Sequence, residues 1–321
     1  MNSLPQVTIL MAIYKPNMQW LEEQLQSLNV QTYPNLNLLV WNDAPDDSTD
    51  YEPIYNKYIT NFSYKIFVGE KNLGSNGAFE ELTKLATSEY IAYCDQDDIW
   101  LPEKITVLIE EALKSGADLL CSDMEVIGAR GEVIEKSICS LRRKDIFKVV
   151  GSTFEHLLYR NFITGCTMLV RTRFAKCALP FPKEYFHDWW IGLYVADVGE
   201  IEVIRKSLIK YRIHGTNQSG MFRGINSKKD YYQKMLYPLI GRAKALTVKF
   251  SNSINIGKIQ QFNDFVMLRK KYSERFSVKR FFCLLNMRDL HYRVVLFELM
   301  LPVIPEFIFR FIAEEKRKGN I

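Results

Sequence analysis

The sequence predicts an α/β protein on a doubly wound, mostly parallel sheet, followed by a helical, basic C-terminal region. Three observations carry that expectation. Short apolar runs alternate with stretches of helical period over residues 6–123. Polar and acidic residues follow several of those runs at once. Charge is divided along the chain: residues 1–204 hold 18 Lys+Arg against 29 Asp+Glu, and residues 205–321 hold 24 against 8. At 321 residues, 47% hydrophobic and 25% charged, the chain suits one large globular domain or two smaller ones.

The first strand is QVTILMAIY (6–14), apolar throughout as a fully buried strand is, and Lys15-Pro16-Asn17 breaks it. Met18, Leu21, Leu25 and Leu28 then recur at helical spacing. NLNLLVWND (35–43) is a second strand entering a polar loop, and SYKIFVGE (63–70) a third. NLGSNGAFEELTKLAT (72–87) reads as a turn and a helix, EYIAYCD as a fourth strand. PEKITVLIEEALKSG (102–116) is a helix with proline near its start and glycine just past its end. ADLLCSD (117–123) is a fifth strand. Ligands of such sheets sit beyond the carboxyl ends of the strands, and Tyr14, Asp43, Asn72 and Asp95 all fall there. After about residue 141 the alternation weakens. A polar turn runs into a strand over 160–174, an aromatic helix follows a loop over 181–197, and a strand gives way to a polar loop over 201–220. From about residue 225 the pattern is helical.

Several classes are excluded. No glycine-rich dinucleotide fingerprint follows the first strand and no phosphate-binding P-loop occurs, which argues against a dehydrogenase and an ATPase. The six cysteines are scattered without C-x-x-C spacing, which points to a reducing, cytoplasmic compartment and no zinc site. The N-terminus lacks the features of a signal peptide, and no uncharged apolar run reaches the length of a membrane span.

Asp95-Gln96-Asp97-Asp98 places three carboxylates at the end of a buried strand. Hard divalent cations prefer such oxygen ligands, and an ion held there can face a diphosphate; helix capping or simple solvation is the alternative. Asp188 opens an aromatic helix, where it serves either as a general base or as an N-cap. The adjacent Trp189 and Trp190 offer platforms for a sugar, or pack in a core. His214, in a polar loop, is a ligand or a structural histidine.

Seven segments in order, VTILMAIYKP, NDAPDDSTD, NLGSNGAF, CDQDDIWLPEK, TGCTMLV, HDWW and YRIHGTNQSG, resemble family 2 glycosyltransferases, within them the bacterial rhamnosyltransferase-like group. They span residues 7–220. The resemblance implies a GT-A fold, an inverting mechanism, a nucleotide-sugar donor and Mg²⁺ or Mn²⁺. By it, Ala12 and Tyr14 line the nucleotide pocket, Asn42 and Asp43 contact base or ribose, and Asn72 and Gly74 lie near the ribose. The family pattern Asp-Asp-Gly-Ser is replaced here by Asn42-Asp43-Ala44-Pro45. Asp97 is the direct metal ligand, Asp95 faces ribose or metal, and His214 approaches the metal or diphosphate. Asp188 is the catalytic base, with Thr164, Gly165, Cys166, Trp189 and Trp190 toward the acceptor. The donor implied is dTDP-L-rhamnose, with a UDP-hexose the alternative. The acceptor is a glycan, in particular a polyprenyl-linked one of cell-surface polysaccharide synthesis. A metal-dependent nucleotidyltransferase and a non-catalytic sugar-binding protein are the readings from other classes.

These expectations divide the chain into a catalytic domain, 1–222, with donor and acceptor halves meeting near 123, and a basic helical region, 223–321. The stretch 294–313 is apolar apart from Glu298, Glu306 and Arg310, with Pro302 and Pro305 interrupting it. That suits an anchor at an anionic membrane surface, peripheral on the cytoplasmic face, better than a span. Packing on the catalytic domain or in a homo-oligomer is the alternative. The acidic front excludes a nucleic-acid partner.

Overall fold

The apolar runs become the middle of one nine-stranded sheet in a computed structural model that describes residues 4–214 and 224–318, Arg317 and Lys318 by backbone alone. The second half of the YRIHGTNQSG motif and the boundary expected at 222 lie outside the described residues. Contacts divide the chain into two units, one of residues 4–157 and 161–214 and the other of 158–160 and 224–318 among those described.

In the first unit the elements are β1 (Val7–Ile13), α1 (Met18–Asn29), β2 (Leu36–Asn42), α2 (Glu52–Tyr58), β3 (Ser63–Val68), α3 (Gly74–Leu85), β4 (Tyr90–Cys94), β5 (Ile99–Trp100), α4 (Lys104–Ser115), β6 (Leu119–Ile127), β7 (Val133–Glu135), α5 (Ile138–Leu141), α6 (Thr153–Tyr159), β8 (Met168–Arg171), α7 (Thr172–Ala178), α8 (His187–Val198) and β9 (Ile201–Arg212). The sheet order is β3-β2-β1-β4-β8-β6-β9-β5, with β7 beside β6. β3, β2, β1 and β4 run parallel, in register from Val7 opposite Leu36 and Tyr90. Their carboxyl ends therefore open on one edge. β8 inserts antiparallel between β4 and β6, and β5 closes antiparallel on β9.

Local chemistry accounts for these elements. Every residue of β4 is buried, so its whole apolar surface is withdrawn from water; each large side chain so buried stabilises by about 1.5–3 kcal/mol. The Asn17 side chain caps α1 by accepting the Trp20 N–H at 3.2 Å. α4 buries Ile105, Leu108, Ile109 and Ala112 on one face and stops at Gly116, whose φ of 77° is the left-handed conformation of a helix end. β5 follows the acidic loop directly, and its pairing of Ile99 with Lys210 draws that loop to the end of β9.

The second unit is helical: α9 (Lys228–Tyr231), a π turn over Tyr232–Leu236, α10 (Pro238–Lys249), α11 (Ile256–Glu274), α12 (Val278–Asn286), α13 (Tyr292–Met300) and α14 (Glu306–Lys318). Phe265, Tyr272, Leu284, Val295 and Leu299 form one cluster; Ile225, Tyr231, Leu301, Ile304, Phe309 and Ala313 form another. Tyr159 meets Phe262 and Phe265 edge-on, ring centroids 5.4 and 6.1 Å apart. The 294–313 stretch thus has two faces. Val295, Leu299, Leu301, Ile304 and Phe309 are buried; Leu296, Met300, Val303, Phe307 and Phe311 are exposed. Glu298 is no interruption. It is buried and takes two hydrogen bonds from Arg269, at 2.7 and 2.8 Å, and one from the Tyr231 hydroxyl at 2.8 Å. No described helix is long and apolar enough to cross a membrane.

Candidate active site

The loop after β4 is held by its own polar residues. Gln96 grips the loop after β1 at both backbone atoms of Tyr14: its Oε1 accepts the Tyr14 N–H at 2.8 Å and its Nε2 donates to the Tyr14 carbonyl at 3.4 Å. Tyr14 stands exposed as a result, and Ala12 lies half-buried behind it. Asp98 turns inward and accepts the Arg212 N–H at 2.9 Å. The buried Arg212 guanidinium then ties two loops to α1, donating to the Asp97 carbonyl (2.8 Å), the Ala129 carbonyl (3.2 Å) and Glu23 (2.5 Å). That leaves the half-buried Asp97 side chain pointing at His214, with Oδ2 and Nε2 2.8 Å apart. The Trp20 ring packs on His214 at 4.8 Å.

Asp188 lies in the first turn of α8. Its Oδ1 accepts the Trp189 N–H at 2.5 Å and the Asn161 amide at 3.5 Å, and its Oδ2 accepts the Gly165 N–H at 3.0 Å. Gly165 belongs to a 3₁₀ turn, Gly165–Thr167, that passes close to α8: a β-carbon there would lie 2.7 Å from His187 Nε2. Asn76, on α3, holds the start of α8 from the other side. It accepts the His187 N–H at 2.7 Å and donates to the Tyr185 carbonyl at 2.5 Å.

The electrostatics follow from this crowding. Burial, then Asp97, then Asp188 push the Asp95 carboxyl up to about 7. Burial pushes Asp188 up to about 6, against the pull of its N–H donors. Burial and the neighbouring Asp97 and Asp95 hold Asp98 well above the usual carboxylate range. Burial alone lowers His187 to about 3, so that imidazole is neutral. A group of acids this close invites a cation. Asp95, Asp98 and Cys166 bring ligand atoms within 4.8 Å of one another, but burial keeps the Cys166 thiol protonated, and Lys104, which burial lowers to about 7, is held on the Cys166 carbonyl beside them. The half-buried Asp97 carboxylate, paired with His214 at 2.8 Å, offers the oxygen atoms that hard divalent ions prefer.

The structure sorts the expected site residues. Ala12, Tyr14, Asn72, Gly74, Asp95, Asp97, Asp188, His214, Thr164 and Trp189 retain exposure. Four others, and Gly165 with them, are buried. Asp43 is 3% exposed and its two oxygens accept the Leu73 and Gly74 N–H groups, each at 2.8 Å, so it shapes the start of α3. Asn42, also 3% exposed, accepts the Ala44 N–H at 3.0 Å. Trp190 is a core residue, 2% exposed, donating to the Ala178 carbonyl at 2.8 Å. Cys166 is buried at 1% exposure. Gln96, Arg212, Asn76 and Lys104 carry the site's architecture and have no signal in the sequence, because their partners lie far away along the chain.

Comparison with known proteins gives four findings. The model of Glycosyl transferase family 2 matches residues 8–177. The Escherichia coli UDP-Glc:alpha-D-GlcNAc-diphosphoundecaprenol beta-1,3-glucosyltransferase WfgD is 25% identical over 227 residues, covering 70% of this chain and 84% of its own. An uncharacterized glycosyltransferase of Haemophilus influenzae is 24% identical over 328 residues, covering 96% of this chain and 98% of its own. Among solved structures, S. aureus TarS 1–349 in complex with UDP-GlcNAc superposes with a TM-score of 0.56 at 17% identity, over 98% of this chain and 92% of that one.

Proposed function

The chain belongs to glycosyl transferase family 2, and on that premise we propose an inverting transferase that moves a sugar from a nucleotide diphosphate to a hydroxyl of a lipid-linked glycan. One observation carries the mechanism: a carboxylate at the start of α8, aimed by three N–H donors and raised in basicity by burial, faces the acidic strand-end loop. Asp188 takes the proton of the acceptor hydroxyl. The new C–O bond forms as the bond from the anomeric carbon to the diphosphate breaks on the opposite face, so configuration inverts in one displacement. Asp97, with His214 and Asp95, would hold a divalent cation, Mg²⁺ or Mn²⁺, which would supply charge neutralisation for the departing diphosphate. Gln96 keeps Tyr14 exposed as part of the nucleotide surface.

The donor read here is a UDP-hexose, supported by the UDP-glucose of the E. coli relative and the UDP-GlcNAc held by TarS. A second reading, dTDP-L-rhamnose, is supported by the motif resemblance alone. The lipid-linked acceptor is supported by the diphosphoundecaprenol named for the E. coli relative, and peripheral membrane attachment by the exposed apolar residues of α12–α14 beside basic ones. The test is transfer from UDP-glucose, UDP-GlcNAc and dTDP-L-rhamnose to a polyprenyl-diphosphate-linked saccharide with Mg²⁺ or Mn²⁺. Transfer from a UDP-sugar and none from dTDP-rhamnose is expected. The reverse result reinstates rhamnose, and no turnover or binding with any of them overturns the proposal.

A further inference from the structure

Lys104 opens α4 and is wholly buried. A buried ammonium is expensive unless it is compensated, and here compensation comes from two directions. The Trp100 ring lies under it, centroid 3.1 Å from Nζ, and Nζ donates to the Cys166 carbonyl at 2.5 Å. The Asp95 and Asp98 carboxylates act on it from further off. The carbonyl it holds belongs to the Gly165–Thr167 turn, and the residue before it gives its N–H to Asp188 Oδ2 at 3.0 Å. The same turn is pressed against His187, the chain neighbour of Asp188. The Cys166–Thr167 peptide thus meets Lys104, and the Thr164–Gly165 peptide, two back along the turn, meets Asp188.

We propose that Lys104 is a positioning residue for Asp188: by fixing the Cys166 carbonyl it sets the turn whose Gly165 N–H aims the carboxylate. This rests on the reading of Asp188 as the base. An apolar residue would fill the space under α4 without the desolvation cost, so packing does not explain a lysine there; a directed bond to one carbonyl does.

The test uses the full chain carrying Lys104→Met, which keeps the stem and removes the donor, and Lys104→Gln, which keeps an uncharged one. Two measurements are made on each. Hydrogen–deuterium exchange over 161–168 needs no substrate, and is expected to quicken by about tenfold or more at Gly165–Thr167 in Lys104→Met as the turn loses its anchor. Steady-state transfer with the donor found in the panel above is expected to lose about 10²-fold in kcat with little change in donor KM, the pattern of a misplaced base; Lys104→Gln falls between. Wild-type exchange in that turn, or wild-type kcat, in folded Lys104→Met overturns the proposal, and Lys104→Gln decides in the same way if Lys104→Met does not fold. Wild-type transfer by Asp188→Asn overturns the base reading itself, and is seen with Lys104 untouched.

Discussion

As the proposed base Asp188 must be ionised, and its burial resists that. Its N–H donors offset the resistance in part, leaving a carboxylate that titrates at about 6, within reach of neutral pH. Asp188→Asn keeps the shape and loses the proton acceptor. Transfer should fall by about 10²–10⁴-fold, while donor affinity measured by calorimetry stays near wild type. The pH profile has a definite sign. Above pH 6 the carboxylate is the free base; as pH falls through about 6 it takes up a proton, and the rate should drop by about tenfold per unit on the acid side. A wild-type rate that stays flat down to pH 5 would remove Asp188 from the proton transfer. Asp97→Ala strips His214 of its carboxylate partner and removes the proposed cation ligand. Turnover should collapse with the unfolding midpoint little moved; a near-normal rate, matched by chelator-treated wild type, would take the cation out of the reaction.

At the scale of elements, α8 carries the proposed base, and α3 holds the start of α8 by the Asn76 hydrogen bonds and by Phe79 packed on His187. Asn76→Ala leaves the His187 N–H and the Tyr185 carbonyl without that partner. A cost of about 1–3 kcal/mol in urea unfolding is expected for the groups left unpaired, together with slower transfer. Unchanged stability and unchanged rate would show that the start of α8 is set by its own packing. Elements of this kind were only half legible beforehand. β1, β2 and β4 announce themselves as short apolar runs, and Gly116 marks the end of α4, because burial and backbone conformation act on neighbouring residues. The antiparallel insertion of β8 between β4 and β6 is different. MLVR reads as a strand, but nothing local says which strands it joins. Asp188 could be picked out as the first acid of an aromatic helix, whereas Asn76, 111 residues from His187, could not. Asn42, Asp43, Cys166 and Trp190 were expected at the site on the motif resemblance; all four are buried, a property that rests on packing partners and not on the motif itself.

Across the whole molecule, charge and exposed apolar surface meet in the C-terminal half. Exposed Val278 and Phe282, Tyr292, Leu296 and Met300, and Phe307 and Phe311 recur four residues apart on α12, α13 and α14, among exposed Lys279, Arg293 and Arg310. If these stripes meet an anionic bilayer, each nearby cation adds roughly 1 kcal/mol to the apolar burial. Full-length protein should then co-sediment with anionic vesicles more than with neutral ones, and less as salt shortens the reach of exposed charges to about 10 Å at 0.1 M. Phe307→Ser with Phe311→Ser should weaken that binding without loss of fold. Equal binding by the double variant would clear these helices of the role. Deleting everything beyond residue 280 is the wrong experiment, since it would also pull Leu284, Val295 and Leu299 from their cluster with Phe265 and Tyr272.

The brief excursion of residues 158–160 into the second unit has a bearing on how such a chain can be inherited. Two modules joined by a single linker can be shuffled between genes by one recombination event. Here the chain enters the second unit, leaves it after three residues, and comes back for good only beyond 214. A crossover near residue 215 would hand a new partner a first module still carrying Tyr159, a ring shaped to Phe262 and Phe265 and meeting neither. Recombination at that point therefore needs a compensating change some 60 residues upstream, and the two units should pass through descent as a pair.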